Sequence, residues 1–338
     1  MKYFFEMSKE YGPLPISEIV SCLNAQHIQF RTIFSNSSCY GIETDQGFKD
    51  IQRVVDRLAF SFNLNLFLFE TPADMNSLIK HAEIHPLSKK GSLVVRYRNR
   101  SERIDSQKVV ENLASVYTKN RKVSLKNPDI EIRALITDEH IYVGKMLLKI
   151  DREQFERRKA QYRPFFSPIS MHPKIARALV NLSQVEHEQT LYDPFCGTGG
   201  ILIEAGLIGV KVIGSDVSEK MIDGTKKNLS FYDIHPEKLF TSDIGKITEF
   251  IDGTVDVVVT DLPYGKATST LGESLHELYS RSFENIYKVL TPGGRAVCGL
   301  PSREIVNDAK KFFTIDDTYD IPVHRSLTRY FTVLRKQP

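Results

Sequence analysis

The sequence of 338 residues has few cysteines, and they are widely spaced. Cys22, Cys39, Cys196 and Cys298 stand singly, with no CxxC pair among them. Disulfide frameworks and structural zinc sites both draw on cysteines at short, regular spacings, so neither is indicated and we predict no bound metal. The sequence also lacks an apolar run long enough to cross a membrane, which excludes a membrane-spanning helix.

The first residues lack the features of a secretory signal. Residues 1–7 mix charged and aromatic side chains, without a basic start followed by an apolar core. The composition, 41% hydrophobic and 26% charged, is typical of a globular protein. We therefore expect an intracellular, cytoplasmic protein of about two or three domains that makes no contact with a membrane.

The net charge of +3 is unevenly distributed along the chain. Residues 61–166 carry 20 basic and 13 acidic side chains, whereas the residues before and after them are slightly acidic. Lysine and arginine supply the sequence-independent part of nucleic-acid affinity, although such an excess is equally compatible with a solvated face. If the protein binds a polyanion, this middle third is where we expect it to bind.

Two basic clusters in the middle third could follow a phosphate backbone. Residues 92–100 are predicted as a strand that ends in alternating arginines, and the period of two places these on one side. A predicted helix over residues 106–117 leads to the second cluster, and a further arginine lies in the connector that follows, where it could also simply solvate a helix. The candidate RNA-binding residues are Arg96, Arg98, Arg100, Lys119, Arg121, Lys122 and Arg163.

The apolar patterns divide the chain into four segments. Residues 1–70 have the order strand, helix, strand, strand, helix, strand, which is ferredoxin-like, and the second of these helices is predicted over residues 51–60. Residues 71–150 form another small α/β unit, and residues 151–166 form a charged linker. Residues 167–338 form a larger α/β domain, whose first helix begins at Pro173 and whose last two strands pair antiparallel.

Residues 257–265 are the strongest local signal in the sequence. Val257-Val258-Val259 predicts a strand buried on both faces, and Asp261-Leu262-Pro263-Tyr264-Gly265 predicts the loop at its carboxyl end. Ligands bind at that edge of an open α/β sheet. A carboxylate and an aromatic ring there suit a planar group with an amino function, although a helix cap and a packing tyrosine are an equally good interpretation of this loop alone.

Three earlier predicted strands also end in an acidic residue, at Asp193, Asp216 and Asp243. The first is followed by a glycine-rich turn, Asp193-Pro194-Phe195-Cys196-Gly197-Thr198-Gly199, whose glycines let the backbone approach a ligand. A dinucleotide fingerprint would need glycine at Leu202, so the spacing argues against NAD. Each acid alone could cap a helix, but four in succession favour a nucleoside site.

These motifs resemble the S-adenosylmethionine-dependent amino-methyltransferases of the Rossmann-like class. Asn127-Pro128-Asp129-Ile130-Glu131-Ile132 resembles part of a THUMP domain, a module of RNA-modifying enzymes. With Arg163-Pro164-Phe165-Phe166 and Ser170-Met171-His172-Pro173-Lys174, the chain resembles the archaeal tRNA guanosine-10 N2-methyltransferases over nearly its whole length, most strongly over residues 163–265.

The resemblance implies a Rossmann-like class I methyltransferase with a seven-stranded sheet at the C-terminus, preceded by a ferredoxin-like domain and a THUMP domain. It implies methyl transfer to the N2 amine of tRNA guanosine 10, with S-adenosylmethionine as cofactor and S-adenosylhomocysteine as product. The catalytic residues would be Asp261, Leu262, Pro263 and Tyr264. The cofactor-binding residues would be Ser170, His172, Asp193, Pro194, Gly197, Thr198, Gly199, Asp216, Val217, Asp243, Ile244 and Asp261.

The resemblance leaves several points open. The family has proline where this chain has Leu262, which puts the pocket width in doubt, and His172 fits a structural helix-start residue better than a ligand. Another guanosine, in tRNA or ribosomal RNA, is the enzymatic alternative, and a non-catalytic RNA-binding subunit is the alternative of another class. The chain is expected to act as a monomer, with or without a small zinc-binding activator subunit at an edge near residues 239–241.

Overall fold

The computed structural model describes residues 1–168, 170–264, 274–324 and 327–338. Ile169, Gly265 of the predicted ligand loop, Arg325 and Ser326 are among the residues outside the described ranges. The chain forms two compact units. The first contains Met1–Lys9, Ile28–Asp56 and Ser61–Asp151, and the second contains Glu10–His27, Arg57–Phe60 and Arg152–Pro338.

The elements of the N-terminal part follow the predicted order. They are β1 (Lys2–Met7), α1 (Leu14–Ala25), β2 (Arg31–Ser35), β3 (Cys39–Glu43), α2 (Phe48–Val55), β4 (Ser61–Pro72), α3 (Met75–Ile84), β5 (Leu93–Asn99), α4 (Ser106–Tyr117), β6 (Ile130–Ile136) and β7 (His140–Lys149). The helix predicted to reach residue 60 ends at Val55, because the buried Glu18 carboxylate accepts the N–H groups of Ala59 and Phe60, each at 2.9 Å.

The first unit is built on one seven-stranded sheet of order β2-β3-β1-β4-β7-β6-β5. The first four strands pair antiparallel in the ferredoxin-like arrangement, and β5 with β6 is the parallel pair. Helices α3 and α4 pack on β5 to β7, and Asp74 and Asp105 cap the two helices. The boundary predicted between residues 70 and 71 falls inside β4, so the finer division into two N-terminal domains stays a prediction.

Besides α1, the second unit contains the elements from residue 153 onward. They are α5 (Glu153–Arg157), α6 (Pro173–Leu182), β8 (Thr190–Asp193), α7 (Gly200–Gly206), β9 (Lys211–Asp216), α8 (Glu219–Phe231), β10 (Lys238–Thr241), β11 (Val255–Asp261), α9 (Leu275–Val289), β12 (Leu290–Leu300), α10 (Arg303–Ala309), β13 (Thr314–His324) and β14 (Leu327–Arg335), with short 3₁₀ turns at Ala160–Tyr162 and Ile244–Glu249. None of the described helices is long and apolar enough to cross a membrane.

The second sheet has the order β10-β9-β8-β11-β12-β14-β13. Its first five strands are parallel, and β14 and β13 close the sheet antiparallel. Val257 and Val259 belong to the apolar cluster on one face, and Val258 belongs to the cluster on the other. This confirms the expected fold class, with a central strand buried on both faces and the carboxyl ends of β8, β9, β10 and β11 at one edge.

Candidate active site

A cavity of about 420 Å³ opens at the carboxyl ends of β8 to β11. This volume is in the range of small-molecule sites, and its position is the edge at which open α/β sheets bind ligands. Its lining includes the predicted residues Ser170, Asp193, Pro194, Gly197, Thr198, Asp216, Val217, Asp243, Ile244, Asp261, Leu262, Pro263 and Tyr264, together with Ser167, Met171, Phe195, Cys196, Met221, Leu278 and Arg281, among others.

The glycine-rich turn after β8 forms one wall of this cavity. Gly197 and Gly199 have φ values of 52° and 78°, a left-handed conformation that disfavours any side chain. Before the turn, Asp193 accepts hydrogen bonds from Thr260 Oγ1 at 2.6 Å and from Phe195 N at 3.1 Å. Burial raises the pKa of Asp193 to about 7. Asp193 therefore links the start of the turn to Thr260 of β11.

Asp216, at the end of β9, fixes the same turn from its other side. Its carboxylate accepts the N–H of Gly197 at 3.0 Å and the N–H of Ser218 at 2.9 Å. Burial raises the pKa of Asp216, although the two backbone donors oppose that change. The carboxylate lines the cavity, so it can accept further hydrogen bonds from a hydroxylated ligand.

Asp243 follows β10 and lies in an ion pair that the sequence did not reveal. It accepts the N–H of Gly245 at 2.8 Å, and the guanidinium of Arg281 binds both of its oxygens. Burial raises the pKa of Asp243, but Arg281 and Gly245 outweigh it and the net change is downward. Arg281 is on α9 and lines the cavity, and the helical pattern of residues 275–290 did not indicate that it would reach this acid.

Asp261, at the end of β11, is bound by an arginine from β14. Arg329 Nη1 lies 2.8 Å from Asp261 Oδ2, and the Arg329 guanidinium carbon lies 4.2 Å from the centre of the Tyr264 ring. Burial raises the pKa of Asp261 to about 6, against the opposing charge of Arg329. Arg329 was not foreseen, because nothing in the sequence pairs residue 329 with residue 261.

The neighbouring strand leaves space for the Asp261 carboxylate. Gly299 of β12 is in register with Asp261, and a Cβ at Gly299 would lie 2.3 Å from Asp261 Oδ1. That oxygen is buried, and no donor among the described residues binds it. Leu262, where the family has proline, is fully buried in the apolar cluster with Phe283. Its side chain therefore also serves as part of the core.

His172 and Gly199 are the predicted cofactor residues that do not line the cavity. His172 is the N-cap of α6, where its Nδ1 accepts the N–H of Lys174 at 3.1 Å and its Nε2 lies 3.1 Å from Glu156. This matches the alternative interpretation of His172 as a structural helix-start residue. Ser170 does reach the cavity, and its hydroxyl lies 3.1 Å from that of Thr198.

The arginines predicted to bind RNA are largely engaged within the protein. Arg98 forms an ion pair with the buried Glu6, Arg96 lies 3.2 Å from Glu131, and Arg121 donates to backbone carbonyls. Arg100 likewise donates to a backbone carbonyl at 3.4 Å. Lys119 and Lys122 are exposed.

Arg163 differs from the other predicted RNA-binding residues because it is buried. Its side chain is 5% exposed and belongs to the second unit, where Nε donates to the carbonyl of Arg158 at 3.0 Å. Its guanidinium packs against Gly200 at the start of α7. This position places a buried cation beside the glycine turn, and a role of Arg163 in RNA binding stays a prediction.

Titratable side chains do not assemble a metal site in the described part of the chain. No group of three or more histidine, cysteine or acidic residues there has the proximity to hold a metal ion. The four cysteines are free and buried.

Comparison with known proteins gives the family. The model of the RMKL-like methyltransferase domain matches residues 160–330. A tRNA (guanine(10)-N2)-dimethyltransferase of Methanothermobacter thermautotrophicus is 34% identical over 99% of this chain and 100% of its own length. The enzyme of that name from Pyrococcus abyssi is 34% identical over 82% of this chain and 84% of its own.

A solved structure supports the fold over the whole chain. TrmN from Thermus thermophilus has a TM-score of 0.61 at 18% identity, covering 99% of this chain and 100% of that one. At this identity the likeness shows the fold alone. The family follows instead from the two close relatives and the matched domain. The chain belongs to the tRNA (guanine(10)-N2)-dimethyltransferase family, whose catalytic domain is a Rossmann-like, S-adenosylmethionine-dependent methyltransferase.

Proposed function

We propose that the protein transfers methyl groups from S-adenosylmethionine to the exocyclic N2 amine of guanosine 10 in tRNA. The observation that carries this proposal is that Asp261 and Tyr264 line the same cavity as the glycine turn, Asp216 and Asp243. A carboxylate and an aromatic ring thus lie beside a site of nucleoside-binding character. The name of the relatives supports two successive transfers to the same amine.

The cavity walls suit the cofactor. Gly197 and Gly199 have no side chains, so the backbone of the turn can approach a ligand closely. Asp216 can accept hydrogen bonds from ribose hydroxyls. Asp243 and the N–H of Ile244 suit the edge of an adenine, with Arg281 beside them. When bound, S-adenosylmethionine would supply an electrophilic methyl group, and its S–C bond would break to leave S-adenosylhomocysteine.

Asp261 and Tyr264 would act on the target base. The N2 amine of guanine is a weak nucleophile, because its lone pair is delocalised into the ring. Asp261 accepts a hydrogen bond from the amine, directs the lone pair toward the methyl group, and takes the proton that the amine loses as the N–C bond forms. Tyr264 stacks on the base, which must leave its helix to enter the cavity.

The test uses the exocyclic amine of the target base as its control. The full-length protein is incubated with labelled S-adenosylmethionine and two otherwise identical tRNAs, one with guanosine and one with inosine at position 10. Inosine lacks only the exocyclic amine, so we expect label in the first tRNA and none in the second. Mass spectrometry of the nucleoside should show mono- and dimethylated products.

The same experiment separates the alternatives. Label at another guanosine in both tRNAs would mean that the target is that guanosine and not guanosine 10, while the proposed N2 methyl transfer would still hold. Absence of label in any transcript, from protein that binds the cofactor, would overturn methyl transfer and favour a non-catalytic RNA-binding subunit.

We also propose that tRNA is held by exposed cations of the first unit, in a protein of the cytoplasm. Lys119 and Lys122 are exposed there, and the segment around them carries the excess of positive charge seen in the sequence. They are better candidates than Arg98, whose charge is matched by Glu6.

A small zinc-binding activator subunit remains a further candidate partner, with the catalytic chain itself a monomer. Strand β10 is at the edge of the second sheet, and an edge strand can pair with a strand of another protein. Size-exclusion chromatography with light scattering would give the state of the isolated chain. Full transfer activity of the isolated monomer would argue against the need for an activator.

A further inference from the structure

Arg329 connects the two residues to which we assign the base-binding role. Its side chain is 10% exposed, and it comes from β14, an antiparallel strand that is separated from β11 by β12. Nη1 lies 2.8 Å from Asp261 Oδ2, while the central carbon of the guanidinium lies over the Tyr264 ring, 4.2 Å from the ring centre. One buried cation therefore contacts both of the residues that we propose to bind the base.

The geometry also determines which oxygen of Asp261 a substrate can reach. Oδ1 is buried beside Gly299, where even a methyl group would collide with it. The Asp261 side chain is nevertheless 20% exposed and lines the cavity. Because Oδ1 is shielded, Oδ2 is the oxygen available to an amine, and it is the oxygen that Arg329 holds.

We propose that Arg329 is a positioning residue that fixes Asp261 Oδ2 and the Tyr264 ring as one unit, with one face of the ring covered. This inference rests on the proposed function of the two residues. The guanidinium covers one face of Tyr264 by a cation–π contact, so the base has the other face on which to stack. Removing the guanidinium would loosen the carboxylate and the ring together.

The charges around Asp261 give this assignment an electrostatic consequence. Asp193 on β8 is a second buried acid, and burial, together with the charge of Asp261, raises its pKa. Burial also raises the pKa of the Tyr279 phenol on α9 and of the Cys298 thiol on β12. The charge of Asp261 adds to the rise at both, and that of Asp193 adds to it at Cys298. Arg329 is the cation that opposes burial at Asp261. Without it, the pKa of Asp261 rises further and the carboxylate is protonated near neutral pH.

The experiment compares Arg329→Met and Arg329→Lys with Arg295→Met. Arg295 is a partly buried arginine in the middle of β12 that does not line the cavity, and it lies 3.7 Å from Asp316, so it controls for loss of an arginine–aspartate contact in the same sheet. The first readout is carboxyl NMR of protein labelled with ¹³C-aspartate, in which Asp261→Asn identifies the Asp261 resonance. The second is the single-turnover methyl-transfer rate as a function of pH.

For Arg329→Met we expect the Asp261 midpoint to rise by about one pH unit or more, as for loss of a cation in contact with a carboxylate. The acid limb of the rate should move to higher pH by a similar amount, with partial recovery of the rate in alkali. Arg329→Lys keeps the charge, so its midpoint should stay near that of the unmodified protein while its rate falls, since an ammonium cannot cover the Tyr264 ring as a planar guanidinium does. Arg295→Met should change neither readout.

An unmoved Asp261 midpoint in folded Arg329→Met protein would overturn the inference. If that variant does not fold, Arg329→Lys decides, and an unchanged rate would count against the role in positioning. The NMR readout needs no substrate, so the two proposals can fail separately. A moved midpoint in a protein that methylates no RNA would sink the proposed function alone, and methylation of guanosine 10 with an unmoved midpoint would sink the inference alone.

Discussion

Two buried carboxylates, one in each unit, are both paired with arginine but differ in how completely they are satisfied. Glu6 on β1 is 1% exposed, and its two oxygens receive Arg98, Arg133 and Asn63. Asp261 on β11 receives Arg329 at one oxygen, and the described residues offer no donor to the other.

The pKa values of the two acids move in opposite directions for this reason. Burial alone raises both, but at Glu6 the two arginines outweigh it and the pKa is lowered, whereas at Asp261 burial prevails and the pKa rises to about 6. A saturated carboxylate can only hold its neighbours together, while an incompletely satisfied one can still accept a hydrogen bond or a proton. This difference supports a structural role for Glu6 and the proposed catalytic role for Asp261.

The largest effect should come from making the same chemical change at both acids. Asp261→Asn removes the proton acceptor, and we expect single-turnover transfer to fall about 10²- to 10⁴-fold, the usual contribution of a general base. Glu6→Gln should leave transfer per folded molecule near its original value. Cofactor binding by calorimetry should be similar in both variants. Transfer by Asp261→Asn within a few-fold of the unmodified protein would remove Asp261 from the mechanism.

Stability should show the reverse order. Glu6→Gln leaves Arg98 without its matching charge and leaves Arg133 with only Glu131, at 3.5 Å, and breaking a buried ion pair costs about 3 to 5 kcal/mol. Hydrogen exchange of the β1 and β6 amides should report this loss in the first unit, because the two units need not unfold together. Asp261→Asn should leave those amides unchanged. Equal protection of β1 in both variants would mean that the Glu6 cluster is not what stabilises this sheet.

The sequence predicted the acids of the candidate site but not the arginines that bind them, for physical reasons. The acids at strand ends and the glycine turn are local patterns, so Asp193, Asp216, Asp243 and Asp261 could be assigned to one edge before the structure was known. Arg281 and Arg329 reach these acids from elements far along the chain, and only the fold brings them there. The alternating arginines of β5 followed the expected period of two, but period alone did not reveal that Glu6 would bind Arg98.

The next largest difference between Asp261 and Glu6 should be how activity and stability depend on pH. Asp261 has a raised pKa of about 6, so we expect transfer to fall about tenfold per unit as the pH drops below that value. In the same range Glu6 should contribute no loss of stability. Because the folded-state pKa of Glu6 is lowered, its contribution to the free energy of unfolding is fully present above the unfolded-state pKa. That contribution is lost only as the pH falls through the still lower folded-state pKa.

Asp193 and Asp261 should even make the second unit more stable as the pH falls from 7 toward 5. The native state holds protons there that the unfolded chain does not, since both pKa values are raised. Transfer rates and chemical unfolding measured on the same samples would check this. Parallel loss of activity and of stability over this range would contradict it.

The smallest effect concerns Lys119 and Lys122 of the first unit, which form no ion pair with an acid among the described residues, whereas Arg98 is paired with Glu6. Lys119→Gln with Lys122→Gln should weaken tRNA binding by roughly three- to tenfold and reduce the slope of log affinity against log salt by about one to two, if each lysine contacts a phosphate. Lys211→Gln is a suitable control, because Lys211 begins β9 at the sheet edge opposite the cavity. Arg98→Gln should instead lower stability, since Arg98 serves Glu6. An unchanged salt slope in the double lysine variant would move the RNA-binding surface elsewhere on the molecule.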